Sequence, residues 1–394
     1  WAGGPALQRL DLAASRPDAV RWGVAAPELE LTIAGGGLAG ATRAYTADVG
    51  RAPAPPRHVY EPWIDVINEG EGEAAPNGHG FSGGARVAAE LREIAAKRDE
   101  LGIPIGVLGI EGWHALPDAE ALLGDLRRRG LRLAGYWDPF LAEGTAAHAE
   151  AARLGIFVRD PSGAPWPVLT SRNTVVNVVD FTHPEAQGFW ARQLDRGRRL
   201  GIESFMHDFG EVVTDGMTFR SGAPAHLEHN RYPTLYHRAA RAALDELAVR
   251  HPGFEPWFYV RAGHTGTTSA TSGVFPGDET TDWSQGSGLP SVVPTMLNLA
   301  LGGAYTFTTD VGGYFDFVAP RTTPELLARW SQLAAFTPVM RVHNSTNNGQ
   351  LLPWEAGEET LDVFRRYARA KVRLIGLVDR LSRRAAHSGG IGPV

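Results

Sequence analysis

Six acidic residues stand where apolar runs give way to polar ones: Asp138, Asp180, Asp208, Glu211, Asp278 and Asp310. Two segments hold three of them. One reads Phe205-Met206-His207-Asp208-Phe209-Gly210-Glu211, and the other runs from Arg261 through Phe275-Pro276-Gly277-Asp278 to Asp282-Trp283. Carboxyl pairs suit acetal chemistry. Cleaving a glycosidic bond with retention takes two of them roughly 5–5.5 Å apart, one attacking the anomeric carbon and the other protonating the leaving oxygen. Spacing alone leaves the pairing open, because any single strand-end acid can instead cap the helix that follows it.

Composition removes several rivals. The 394 residues include no cysteine, which excludes disulfides, thiolate metal sites and cysteine nucleophiles. The 13 histidines form no HxH or HExxH pair at strand ends, so no metal is expected. A net charge of −6 gives no reason to expect a nucleic acid or an anionic membrane as partner. No apolar run approaches the roughly 20 residues that span a bilayer. Gly312-Gly313 resembles a phosphate loop only until Tyr314-Phe315-Asp316, where the acid is wrong for an anion. Compartment and oligomeric state stay open.

The elements that must position these acids follow from periodicity. Beyond residue 58, β-like runs ending in polar or acidic residues alternate with helix-like stretches. The runs are 63–68, 103–112, 131–138, 175–181, 202–211, 256–263, 273–278 and 304–313. Between them, Val87, Leu91 and Ile94 fall on one helical face, and Tyr232-Pro233 opens a further helix. Such alternation predicts a (β/α)8 TIM barrel over 58–394, with its chemistry at the C-terminal strand ends. Residues 1–57 read as a partial N-terminal β-rich segment, the remnant of a β-sandwich. It comprises a strand at 29–33, a turn at Gly35–Gly37 and the Pro-rich linker 51–58.

From about residue 60 onward the chain resembles glycoside hydrolase family 31. HDFGE (207–211) is similar to the family's nucleophile strand. YVRAG (259–263) with PGDETTDW (276–283) is similar to its acid/base segment. TTDVGGY (308–314) and PVMRVH (338–343) resemble two further stretches in the same order. The resemblance implies a retaining, exo-acting α-glycosidase, with Asp208 as nucleophile and Asp278 as general acid/base. It implies no cofactor, and a carbohydrate as substrate. Arg261 is then a charge partner for Asp208, and His343 and Asp310 bind sugar hydroxyls. Glu211, Asp138, Glu111, Trp113 and Tyr314 complete the expected substrate site, with Trp113 and Trp137 open to sugar stacking or to core packing.

Within the family, GLPSVVP (288–294), Tyr314 and HNRYPTLYH (229–237) look most like the sulfoquinovosidase branch. That branch carries an Arg/Trp-containing insertion after the strand at 103–110. Here Glu111-Gly112-Trp113-His114 runs almost directly into a helix at Asp118. Gly112 stands where the family usually keeps a sugar-binding Asp, and Glu111 is the candidate substitute. An acidic Glu111 near the sugar repels a sulfonate, so α-glucosides are the expected substrates and sulfoquinovosides the alternative. A relative that binds carbohydrate without cleaving it would be expected to lack one of the two acids. Helix-like 358–381 should lead into a last barrel strand, yet the sequence stops about where that strand would begin. The expectation is a fragment clipped at both ends, with a barrel short of one strand.

Overall fold

Parallel strands buried on both faces require near-continuous apolar sequence and crossover helices, and the computed structural model is built that way. It describes residues 8–12, 20–24, 34–67, 84–170, 174–389 and 392. Strands β1 (Gln8–Leu12) and β2 (Val20–Val24) pair antiparallel, and helix α1 (Gly37–Val49) follows. The expected strand at 29–33 lies outside the described residues. The β-rich reading misses α1 because its buried residues are Gly40, Thr42 and Thr46, which make no apolar stripe. Thr42 Oγ1 donates to the Leu301 carbonyl, 3.1 Å away, and ties this helix to the barrel shell.

The barrel strands are β3 (Trp63–Val66), β4 (Val107–Ile110) and β5 (Arg132–Trp137), then, after an excursion, β9 (Ile202–His207), β10 (Trp257–Val260), β11 (Gly273–Val274), β12 (Thr306–Val311) and β13 (Val339–Val342). The excursion is a three-stranded antiparallel sheet of β6 (Phe140–Ala142), β7 (Pro167–Leu169) and β8 (Val175–Val178). The connecting helices are α2 (Gly84–Leu101), α3 (Ala119–Arg128), α4 (Ala146–Leu154), α5 (Pro184–Arg199), α6 (Ala225–Arg250), α7 (Val292–Leu301) and α8 (Pro324–Ala334), and α9 (Glu358–Ser388) follows β13.

Two expectations are corrected here. The run at 175–181 is not a barrel strand; it holds β8 of the side sheet. The barrel, moreover, is closed by eight strands, not short of one. Its eighth is β13, a segment read in sequence only as a motif, and it pairs with β3 through Arg341↔Trp63 and Val342↔Ile64. Three apolar residues around an arginine are too short and too broken a run to stand out as a strand. A third correction concerns α6, which starts at Ala225, so Pro233 lies inside it instead of opening it. There Pro233 packs on the loop after β9, where a Cβ added to Gly210 would sit 3.0 Å from the Pro233 side chain.

Side-chain alternation sorts the core into two layers. Trp63, Val107, Ala134, Tyr136, Met206, Trp257, Tyr259 and Val339 share the cluster that fills the barrel. Residues one position away, including Ile64, Leu108, Leu133, Trp137, Phe205, Phe258 and Met340, pack outward in the helix-facing cluster. Val87, Leu91 and Ile94 of α2 are buried in that outer layer, as their spacing predicts.

Candidate active site

The inward register of each strand, continued by two residues, delivers the polar groups at the C-terminal mouth. Trp63 leads to Asp65, Met206 to Asp208, Tyr259 to Arg261, and Val339 to Arg341 and then His343. Trp137 is one position off that register. Its indole lies 4.8 Å from that of Trp113, whose Nε1 donates to the Tyr136 carbonyl at 3.1 Å. Trp113 and Trp137 are both buried in the helix-facing core cluster.

Asp208 is buried just past β9. Its backbone N–H donates to the Trp137 carbonyl at 2.8 Å, and its Oδ2 accepts the Tyr136 hydroxyl at 2.6 Å. Buried Oδ1 takes no hydrogen bond from the described residues, and Arg261 Nε lies 3.5 Å from it. The next residue, Phe209, has a left-handed φ of 59°, a conformation that costs a non-glycine residue on the order of 1 kcal/mol or more. The turn brings its ring beneath the Arg261 guanidinium, 4.1 Å from the ring centre, and edge-on to Phe140.

Arg261, just past β10, holds three carboxylates. Besides Asp208 it donates to Glu211 Oε1 from Nε at 3.0 Å and from Nη2 at 2.5 Å, and its Nη1 stands 3.9 Å from Asp278 Oδ1. Asp278 follows β11, so adjacent strands β9, β10 and β11 supply the carboxylate, cation and carboxylate in order. Burial pushes Asp208 up to about 6, against the opposing pull of Arg261 and the Tyr136 hydroxyl. Burial likewise raises Asp278, opposed by Arg261 and Arg341 and reinforced by Glu211.

A second cluster adjoins the first. Asp310 and Arg341 face each other across the β12–β13 ladder and form a fully buried ion pair. Arg341 also donates to Asp65 Oδ2 at 2.8 Å and to the Tyr259 hydroxyl at 2.9 Å. His343 Nδ1 lies 3.2 Å from Asp65 Oδ2, and its Nε2 lies 3.9 Å from Glu111. The Tyr314 ring stacks parallel on His343, 4.7 Å between centres. Burial, helped by the Arg341 charge, lowers His343 to about 4, so its ring is neutral near pH 7. Burial alone would raise Asp65; Arg341 and His343 outweigh it and hold the carboxyl low. Burial pushes Asp310 up; Arg341 opposes this, and Glu279, Asp278 and Asp65 add to it. Glu279, beside Asp278 in sequence, accepts the Thr309 hydroxyl at 2.9 Å and is raised to about 7 by burial.

Of the expected site residues, Asp208, Glu211, Arg261 and Asp278 thus meet in one cluster, and Asp310, His343, Glu111 and Tyr314 in the other. Asp138 is buried and accepts the Phe140 N–H at 2.9 Å. Asp180 accepts from the Thr182 hydroxyl and the Thr182 and Arg220 backbones, a loop clamp away from both clusters. Tyr136, Asp65, Arg341 and Glu279 were missed. Asp65 and Arg341 carried a readable signal, a charge inside an otherwise apolar four-residue strand. Among the described residues no group of three or more acidic or histidine side chains could hold a metal ion.

A closed (β/α)8 barrel with a cation between two carboxylates at its C-terminal mouth defines a class of barrel able to handle an acetal. The chain belongs to glycosyl hydrolase family 31, whose TIM-barrel domain matches residues 80–378. It is 29% identical over 373 residues to a sulfoquinovosidase of Agrobacterium fabrum, covering 93% of this chain and 55% of that protein. It is 28% identical over 312 residues to alpha-glucosidase 2 of Bacillus thermoamyloliquefaciens, covering 72% and 38%. The solved structure of a family 31 sulfoquinovosidase from E. rectale, in complex with an aza-sugar inhibitor, shares the fold with a TM-score of 0.76 at 24% identity, covering 90% of this chain and 53% of that one. The chain thus spans roughly a third to a half of the length of the curated relatives it matches.

Proposed function

We propose that this barrel is the catalytic domain of a retaining, exo-acting α-glycosidase. The observation that carries the reading is Arg261, poised 3.5 Å from Asp208 and 3.9 Å from Asp278. Asp208 Oδ2 is anchored by Tyr136, which leaves Oδ1 to attack the anomeric carbon and form a covalent glycosyl ester. Asp278, half-exposed and raised, delivers its proton to the leaving oxygen, then takes one from the water that opens the ester. To His343, Asp310 and Glu111, clustered beside these two acids, we assign the holding of sugar hydroxyls.

The substrate we assign is a neutral α-glycoside, an α-glucoside first. Glu111, Asp65, Asp310 and Glu211 surround two arginines that are already ion-paired, Arg261 and Arg341. Such a balance disfavours an anionic sugar. The likeness to sulfoquinovosidases supports the alternative, a sulfoquinovoside. Aryl α-glucoside, α-xyloside and α-sulfoquinovoside decide between them. Release from the glucoside, abolished in Asp208→Asn, is the expected result. Release from the sulfoquinovoside alone would overturn the substrate assignment while leaving the mechanism standing.

A further inference from the structure

The backs of β9 and β10 carry a hydrogen-bond chain that the reaction itself does not use. His207 precedes Asp208 and points the opposite way, into the layer between barrel and helices. Its Nε2 lies 3.0 Å from Trp190 Nε1 of α5, and its Nδ1 lies 2.7 Å from His237 Nδ1 of α6. His237 Nε2 in turn lies 3.0 Å from the carbonyl of Ala262, the residue after Arg261. The end groups fix every proton. An indole N–H can only donate, so His207 Nε2 accepts; a carbonyl can only accept, so His237 Nε2–H donates. The central bond must then run from His207 Nδ1–H to His237 Nδ1, with both rings neutral.

We propose that His207 and His237 are positioning residues, a neutral two-imidazole brace that sets the separation of Asp208 and Arg261. Each residue it holds is the immediate neighbour of one of that pair. Around the brace, α5 presents Trp190, β10 presents Phe258, β9 presents Phe205 and α6 presents Tyr236, whose ring stacks on His207 at 3.6 Å. Tyr236 is the one other titratable group among these, and burial raises it well above its usual range. Burial also lowers both histidines, His237 to about 3. Removing either imidazole strands a buried donor or acceptor and frees one strand end to shift against the other. A misplacement of about 1 Å can cost a hundredfold in rate.

The test rests on the glycosidase reading but is separable from it. Glutamine offers an acceptor and a donor about as far apart as the two imidazole nitrogens, yet cannot be protonated; leucine offers neither. His237→Leu is expected to lower kcat on an aryl α-glucoside at least tenfold with KM nearly unchanged, after correction for active fraction. His237→Gln should restore most of that loss. A kcat for His237→Leu within twofold of the parent would overturn the brace, as would loss in KM alone. The 15N shifts of the histidine- and arginine-labelled protein give a readout independent of turnover. They should show His207 as the Nδ1–H tautomer and His237 as the Nε2–H tautomer at pH 6, and the Arg261 Nε–H signal should move in His237→Leu and return in His237→Gln. Charged imidazoles at pH 6, or an unmoved Arg261 signal, would refute the brace even in a protein that hydrolyses nothing. Absent turnover with the expected shifts would instead count against the glycosidase reading.

Discussion

As the proposed nucleophile, Asp208 has conflicting demands, since burial favours its neutral form and attack needs the anion. Tyr136 and Arg261 are what the fold supplies against burial, and each makes a prediction. A hydrogen bond to a charged group is worth about 1.5–3 kcal/mol, so Tyr136→Phe should reduce kcat/KM by about ten- to a hundredfold or slightly more. An undiminished value would mean that Tyr136 only fills space. With Asp208 raised to about 6, kcat/KM should fall as pH drops through that value and the nucleophile takes up a proton. Arg261 stabilises the anion, so Arg261→Met should move this acid limb to higher pH, in addition to lowering the plateau. A limb that stays in place or moves to lower pH would contradict the assignment of Arg261 as charge partner. The motifs made Asp208, Asp278, Arg261 and His343 legible in sequence. Tyr136 was hidden because a tyrosine in a strand reads as core, and only the register of β5 against β9 places its hydroxyl at the carboxylate.

Strand register explains most of what was and was not visible at the next scale. One inward register yields Asp65, Asp208, Arg261, Arg341 and His343, and a one-residue offset sends Trp137 to the outer layer. A periodic apolar pattern announced seven of the eight barrel strands. The eighth, Val339–Val342, was masked by the charge of Arg341 within it, and Val175–Val178 imitated a barrel strand because its sheet packs into the same outer core. Close contact between neighbouring strands also demands glycine. A Cβ on Gly109 of β4 would lie 1.9 Å from Asp65 Oδ1. Gly109→Ala must therefore push Asp65 off Arg341 and His343, and should cost about 1–3 kcal/mol of stability along with most of the activity. Gly124 of α3 has open space, its nearest neighbour being an Arg128 nitrogen at 3.5 Å. Gly124→Ala should stabilise by about 0.5–1 kcal/mol and leave kcat unchanged. Chemical denaturation of the two variants checks both signs, and equal effects would refute the packing argument.

For the molecule as a whole, closure depends on α9 as well as on β13. Lys371 of α9 is fully buried, and its ammonium donates to the Thr337 and Pro338 carbonyls just before β13. Burial pulls its pKa from 10.5 to about 7. Because the folded value is the lower one, the unfolded chain holds more protons between pH 7 and 10.5, and this group's contribution to stability rises with pH across that window. The stability of the parent relative to Lys371→Met should therefore increase from pH 7 to pH 9, by on the order of 2 kcal/mol. A difference that is flat with pH would show that Lys371 stays charged in the folded protein. The proposed chemistry centres on a single covalent event at the mouth of this barrel, a glycosyl ester on Asp208. The most direct test is to incubate the protein with a 5-fluoro-α-glucosyl fluoride and locate the adduct by peptide mass analysis. One 5-fluoroglucosyl adduct on the peptide containing Asp208, with fluoride released, and absent in Asp208→Asn, is the predicted result. An adduct on another carboxylate, or turnover of an α-glucoside with inversion and no adduct, would contradict it.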